Sequence, residues 1–420
     1  MLKNLEKITL KNGFEVYHLP QNLGSNVVSV NLFYKVGSGD ESRGISGISH
    51  MLEHLNFKST TTHKAGEFDS IVKSIGGVDN ASTGFDYTHY YVQCASKELA
   101  VVVNLFADMM ANLALSEEEF LPEREVVLEE RRLRTENDPF GTLYWEFFKN
   151  AFSQSYGWTP IGFEENIKGF TIEAIREFHA RFYQPQNAFL LVCGDASKEE
   201  VFSLAKTEFE KIANKSVSNL VLTKEVGEKF EPKSVVVTKP SEVEMLLMGF
   251  QGVPFDHEDA ATLDALASLL SNGKSSVFER VLNEELGLVS QVEAESFGCK
   301  KDGVFLIFAV LNEGVKSEQV LGEVMKILED FEISEQAFWR LKNQLKMSLA
   351  QVKLKSSSLA STIGGYIARG DLTPFLRLEE SLQKLSKERL KECAKHYFTA
   401  KTLTSVSLKC EKQSKRGEDE

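Results

Sequence analysis

The chain has 420 residues, enough for two or three domains of ordinary size with substantial cores. Hydrophobic residues make up 42% and charged residues 26%, the balance of a soluble globular protein. The formal charge of -13, from 61 acidic against 48 basic residues, disfavours a nucleic-acid partner, which demands a basic surface, and is compatible with cationic peptides as ligands.

Met1 to Phe14 mixes charged and apolar residues and lacks the apolar run of a secretory signal. No stretch approaches the roughly 18 apolar residues of a membrane span, so a cytoplasmic protein with no membrane partner is expected. Phe33-Tyr34-Lys35-Val36-Gly37 reads as a strand entering a Gly-rich loop. That loop, Gly37-Ser38-Gly39, lacks the Lys-Ser/Thr of a nucleotide site. The five cysteines, Cys94, Cys193, Cys299, Cys393 and Cys410, are odd in number and far apart. They indicate neither a disulfide framework nor a cysteine metal site, and three of them fall in apolar runs as small core residues.

Ile45 to Lys58, ISGISHMLEHLNFK, has the periodicity of a helix, with Ser46 or Ser49 as its cap. His50 and His54, four apart, then project from one face, as two imidazoles sharing a cation must. Glu53 flanks that face and can reach a metal-bound water without being a ligand, the H-x-x-E-H order. A catalytic zinc needs a third protein ligand and an open position. Ser116 to Asn137 is the segment to supply it: Ser116 with Glu119 forms a capping box, and Asp138-Pro139 stops the helix. Glu123 and Glu130 lie two turns apart on one face, and either can point inward while Arg124, Arg131 and Arg132 point to solvent.

Further along, Thr171 to Phe182 reads as a capped amphipathic helix, followed by Tyr183 and the apolar run Ala188 to Cys193. Ser386 to Tyr397, followed by Phe398 and Leu403 to Leu408, repeats this plan at an offset of 215. The same offset carries Phe33–Gly37 onto Met248-Gly249-Phe250-Gln251-Gly252. The pattern predicts an α+β protein of two homologous halves, each a mostly antiparallel sheet with helices over one face. The halves are expected at residues 1–214 and 234–410, with 215–233 as the linker plus the first strand of the second half. The charged tail, residues 411–420, is expected to be disordered.

These residues resemble a known family. HMLEHLNFKST, from His50, is close to the signature of the pitrilysin, insulin-degrading enzyme and mitochondrial processing peptidase family, the inverzincins. Further similar stretches are Gly76-Gly77-Val78-Asp79-Asn80-Ala81, Tyr87-Thr88-His89-Tyr90, Glu123 to Glu130, Ile161-Gly162 and Tyr183-Gln184-Pro185-Gln186-Asn187. The resemblance implies one Zn2+ per chain held by His50, His54 and Glu130, which stands at the family's spacing beyond the second His and is preferred to Glu129 on that ground. It implies Glu53 as general base and Glu123 as a supporting carboxylate. It also implies that an extended peptide substrate adds to the strand edge around Asn80 and Ala81, within a chamber between clam-like halves.

The second half departs from the pattern. The offset sets Ala265, Ala267-Ser268 and Leu269 opposite His50, Leu52-Glu53 and His54, so no second metal site is expected. Family members active alone carry an Arg and a Tyr that hold the substrate carbonyl. Here GKSSVFERVLNEELGLVSQV, from Gly273, puts Asn283 and Ser290 at those positions, with Arg280 or Tyr366 as candidate substitutes. The resemblance therefore implies the zinc subunit of a heterodimer whose homologous non-zinc partner supplies the pair. The alternatives are a homodimer active by itself and a non-catalytic structural subunit of the same fold.

Overall fold

The computed structural model describes residues 2, 4–154, 156–215 and 230–411. Most of the expected linker, and the tail beyond 411, lie outside the described residues.

The chain forms two compact units, each assembled from separated stretches: residues 1–130, 158–226 and 348–376 in the first, and 131–157, 227–347 and 377–420 in the second. In the first unit, β1 (Glu6–Thr9), β2 (Glu15–Pro20), β3 (Val27–Tyr34), β4 (Val78–Thr83), β5 (Thr88–Ala95) and β6 (Ala188–Gly194) form one sheet in the order β1-β2-β6-β3-β5-β4. In the second, β7 (Ser234–Lys239), β8 (Met245–Gln251), β9 (Val289–Gly298), β10 (Gly303–Leu311) and β11 (Leu403–Cys410) take the order β7-β11-β8-β10-β9. Each sheet is antiparallel except for one parallel pair, β2 with β6 and β7 with β11. From β2 and β7 onward the two orders are the same.

The repeated segments adopt the same local structure for the same reason. Thr171 Oγ1 accepts from the Ala174 N–H at 3.2 Å and Ser386 Oγ from the Arg389 N–H at 3.1 Å, each capping its helix. The helices Ile172–Phe182 and Lys387–Tyr397 then end on Tyr183 and Phe398 with nearly identical backbone angles, φ -91 and ψ 72 against φ -92 and ψ 72. A short 3-10 turn leads each into its strand.

Alternation along β3 divides the first sheet. Leu32 and Tyr34 enter a core shared with helices Ile48–Asn56, Leu99–Asn112, Ile172–Phe182 and Lys198–Phe209. Phe33 faces the other way, its ring stacked on His89 at 3.9 Å and on Phe189 at 4.8 Å between centroids. The expectation is of helices over one face of each sheet. The opposite face is covered too, by helix Ser356–Arg369, which packs on β3 and β6 and comes from the other half of the sequence. Reciprocally, helix Pro139–Ala151 packs on β8 and β11 of the second sheet. Glycines permit both approaches: a Cβ on Gly364 would stand 2.3 Å from the Phe33 ring, and one on Gly249 would stand 2.1 Å from that of Phe147. The exchange explains why the packing units are discontinuous while the repeat is not. Apolar periodicity shows that a helix must bury a face, not which sheet receives it.

Among the described residues no helix is long and apolar enough to cross a membrane. Cys94, Cys193, Cys299 and Cys393 are buried and free, and Cys410 is half-buried and free.

Candidate metal centre

Helix Ile48–Asn56 buries Ile48, Met51, Leu52 and Leu55, a stripe that pins it to the sheet of the first unit. His50, Glu53 and His54 fall beside that stripe. The imidazole rings of His50 and His54 stand 4.8 Å apart between centroids, nearly perpendicular.

The second contributor is helix Glu117–Arg131. Ser116 caps it, its Oγ accepting from the Glu119 N–H at 3.3 Å. Phe120, Val127 and Leu128 are buried in the core, which turns Glu123 and Glu130 towards the histidines. Glu130 Oε2 lies 3.1 Å from His54 Nε2 and 3.7 Å from His50 Nε2, whereas Glu129 is exposed. Arg131 does not point to solvent as the sequence suggested. It is buried, paired with Glu136 at 2.5 Å, and its guanidinium lies 4.9 Å over the Trp145 ring. That pairing satisfies a charge that a helix surface would otherwise leave in water. Beyond it the helix widens into a π-helical stretch, Arg132–Asn137.

One donor atom from each of His50, His54 and Glu130 lies within 4.8 Å of the others, the one such group found among the described residues. Zinc ligands at about 2.0–2.1 Å in tetrahedral array are about 3.3 Å apart. The 3.1 and 3.7 Å separations bracket that value, and with all three donor atoms within 4.8 Å of one another two imidazoles and a carboxylate suit a zinc ion.

The surroundings orient these groups. His54 Nδ1 is 2.8 Å from Glu123 Oε1, which leaves Nε2 directed at Glu130. Glu123 is buried, and its other oxygen pairs with Lys58 at 2.5 Å. Burial pushes the Glu123 carboxyl up, but the hydrogen bonds with His54 and Lys58 outweigh it and hold the group below its ordinary value. Burial likewise opposes charge on His54, and its hydrogen bonds to the carboxylates of Glu123 and Glu130 reverse the balance, raising it to about 9.

Glu53 accepts a hydrogen bond from the Thr83 hydroxyl at the end of β4. Sequence reasoning did not single out Thr83, because nothing in its neighbourhood marks a strand end that returns to the helix. Lys58 was visible in the HMLEHLNFKST stretch without an assigned task. Asn80 and Ala81 lie mid-strand in β4, the edge of the sheet, with Asn80 exposed and Ala81 half-buried. They are near helix Ile48–Asn56 in the fold, since that helix packs on β4.

In the second unit, helix Ala260–Ser271 occupies the corresponding place, and Ala265, Ala267 and Leu269 are buried there. Asn283 donates to Glu279 Oε1 at 2.9 Å and Ser290 to the Val310 carbonyl at 3.4 Å. Arg280 is exposed and paired with Glu285 at 3.0 Å, and Tyr366, in the first unit, packs against Phe375 and Arg369.

Comparison with known proteins identifies the family. The model of the insulinase family, peptidase family M16, matches residues 18–151, the stretch that carries His50, Glu53, His54, Glu123 and Glu130. The model of the peptidase M16 inactive domain matches residues 169–345. A zinc protease of Helicobacter pylori named PqqE is 40% identical over 411 residues, 96% of this chain and 92% of the relative. An uncharacterized zinc protease of Rickettsia felis is 28% identical, covering 97% of this chain and 98% of its own. The crystal structure of a protease from Helicobacter pylori superposes with a TM-score of 0.94 at 39% identity, over 97% of this chain and all of the other. The chain belongs to peptidase family M16, the insulinase family.

Proposed function

We propose that the protein is a zinc-dependent endopeptidase acting on unfolded peptides, with His50, His54 and Glu130 as ligands of one Zn2+ and Glu53 as general base. The convergence of those three donor atoms within 4.8 Å, beside a carboxylate that is not one of them, carries the reading. The relatives named zinc proteases support the choice of metal. When bound, zinc supplies Lewis acidity, polarising a carbonyl and lowering the pKa of water towards about 7. Glu53 takes a proton from the attacking water and hands it to the leaving amine. Thr83 orients Glu53 through its hydroxyl. Glu123 holds His54 in the tautomer that presents Nε2. Asn80 and Ala81, on the exposed edge of β4, receive the extended substrate by strand addition.

Glu53→Gln should retain zinc at the wild-type affinity and lose peptide hydrolysis by about 10²–10⁴-fold. Turnover within a factor of two of wild type removes Glu53 from the role of base.

The protein further acts as the zinc subunit of a heterodimer. Support comes from Asn283 and Ser290, which offer neither a guanidinium nor a phenol and already bond to Glu279 and to Val310. Purified alone the chain should cleave peptides poorly, and addition of its homologous partner should restore cleavage. Full activity alone, whether as monomer or homodimer, overturns the subunit assignment.

A further inference from the structure

Glu41 is a carboxylate only 2% exposed that the chemistry above does not use. Its Oε2 accepts from the Gly47 N–H at 2.8 Å and from Trp158 Nε1–H at 3.0 Å. Its Oε1 accepts from the Ser49 N–H at 2.9 Å. The three donors are uncharged, and burial pushes the Glu41 carboxyl up to about 8 although each of them pulls it down. A buried carboxylate without a cation is a costly way to cap a helix; a serine or threonine at the cap position does so at far lower cost.

The backbone explains why that simpler cap is closed. Gly47 precedes helix Ile48–Asn56 at φ 91, where a side chain is strained. A Cβ there would stand 2.6 Å from the Ile161 carbonyl oxygen, and one on Gly162 would stand 2.3 Å from that of Ser46. The two chain segments touch backbone to backbone. The Ser46 hydroxyl is already committed, donating to Asn166 Oδ1 at 2.7 Å and accepting from the Phe163 N–H at 2.9 Å. The helix therefore takes its cap from Glu41, which also grips the tryptophan that opens the opposing segment.

Tolerance at the site makes this clamp consequential. His50 follows Ser49 directly, and His54 lies about 6 Å further along the axis. A tilt of about 10° at the cap would move His54 by about 1 Å relative to Glu130, against a tolerance of about 0.2 Å for metal–ligand distances.

We infer that Glu41 is a positioning residue for the metal centre: with Trp158 it fixes the tilt of the helix and so the distances at which His50 and His54 meet Glu130. The inference rests on the reading of those three residues as metal ligands. Glu41→Gln keeps one oxygen acceptor and replaces the other with an amide nitrogen that only donates, so at least one N–H loses its acceptor. The variant is compared with wild type and with His50→Ala by chelator competition for zinc, by peptide kinetics, and by amide hydrogen exchange of the metal-free proteins. Faster exchange confined to Gly47–Leu52 is expected, together with zinc affinity lowered by about 10–100-fold, as for other groups that orient ligands. At saturating zinc, KM should stay within twofold. Unchanged zinc affinity in Glu41→Gln, with His50→Ala impaired, overturns the clamp whatever the exchange shows. If His50→Ala binds zinc as well as wild type, the ligand assignment itself has failed and the clamp falls with it. Should Glu41→Gln not fold, Trp158→Phe, which deletes one donor, decides the matter: zinc weakened severalfold supports the clamp, and unaltered affinity sinks it.

Discussion

Replacing Glu123 by glutamine removes one negative charge from a buried position 2.8 Å from His54 Nδ1 and 2.5 Å from the Lys58 ammonium. The shape is kept, so the effect isolates charge. In wild type the carboxylate accepts from the His54 N–H, fixing the tautomer and making Nε2 a better donor to a cation. The amide can still accept, but as a neutral group, and it can flip to present its NH2. It also strands Lys58 beside the site, where its side chain is only 32% exposed and its ammonium repels a divalent ion. Loss of a group that orients a metal-binding histidine costs about 10–100-fold in affinity, or about 1.4–2.7 kcal/mol. The stranded cation places Glu123→Gln towards the upper end. Competition with a chromophoric chelator at fixed pH measures it directly. An affinity within twofold of wild type would refute the argument that the Glu123 charge governs His54, and the double variant Glu123→Gln with Lys58→Met, which removes the repulsion, should recover part of the loss.

Two other expectations concern the scaffold. Gly364→Ala raises helix propensity by about 1 kcal/mol, yet its methyl would meet a Phe33 ring locked between His89 and Phe189; overpacking costs about 1–3 kcal/mol and should win, lowering Tm by several degrees. A more stable variant would contradict the close approach of the exchanged helix. His89 and His179 are buried neutral, burial holding both near 3, far below the ordinary 6.5. The unfolded chain binds their protons between those values and the folded chain does not, so their contribution is full above about pH 6.5 and declines as pH falls towards 3. Each adds a slope of about 1.4 kcal/mol per pH unit in that window, and His89→Gln should flatten denaturant-measured stability by one such slope. An unchanged slope would mean that His89 takes up no proton on unfolding.

What the sequence disclosed and what it withheld divide along one physical line. Local periodicity and capping are written in neighbouring residues, so the helix of His50 and His54 and the matching caps Thr171 and Ser386 could be read before any coordinates. The preference for Glu130 over Glu129 came from family spacing, and the fold supplies its physical counterpart: Val127 and Leu128 take the core side of the helix and leave Glu129 in solvent. Contacts between distant segments were not written in this way. The cap of helix Ile48–Asn56 is Glu41, not Ser46 or Ser49, because the close approach of Gly47 to Ile161 is a tertiary fact. Arg131 looked solvent-facing by composition and is buried because Glu136 and Trp145 meet it. The destinations of helices Pro139–Ala151 and Ser356–Arg369 depend on which sheet has a bare face.

The second unit supplies a control that the molecule carries within itself. It retains the strand order, the parallel pair and the capped helix, yet places Ala265, Ala267 and Leu269 where the first unit has His50, Leu52 and His54. The fold is therefore stable without imidazoles at these positions, and small apolar groups fill the space at lower cost than buried polar ones. In the first unit two histidines, Glu123 and Glu130 crowd together against that preference. On the proposed reading a cation balances this cluster of buried His50 and Glu123 with half-buried His54 and Glu130, because metal binding offsets the desolvation of its ligands. The duplicated architecture thus separates what the scaffold needs from what the chemistry needs. Transplanting the ligands would test that separation: histidines at Ala265 and Leu269 should destabilise the second unit and, with no carboxylate counterpart of Glu130 assigned to meet them, should create no zinc site of comparable affinity. Tight zinc binding by that variant after His50→Ala would show that two histidines on one helix suffice without a counterpart of Glu130.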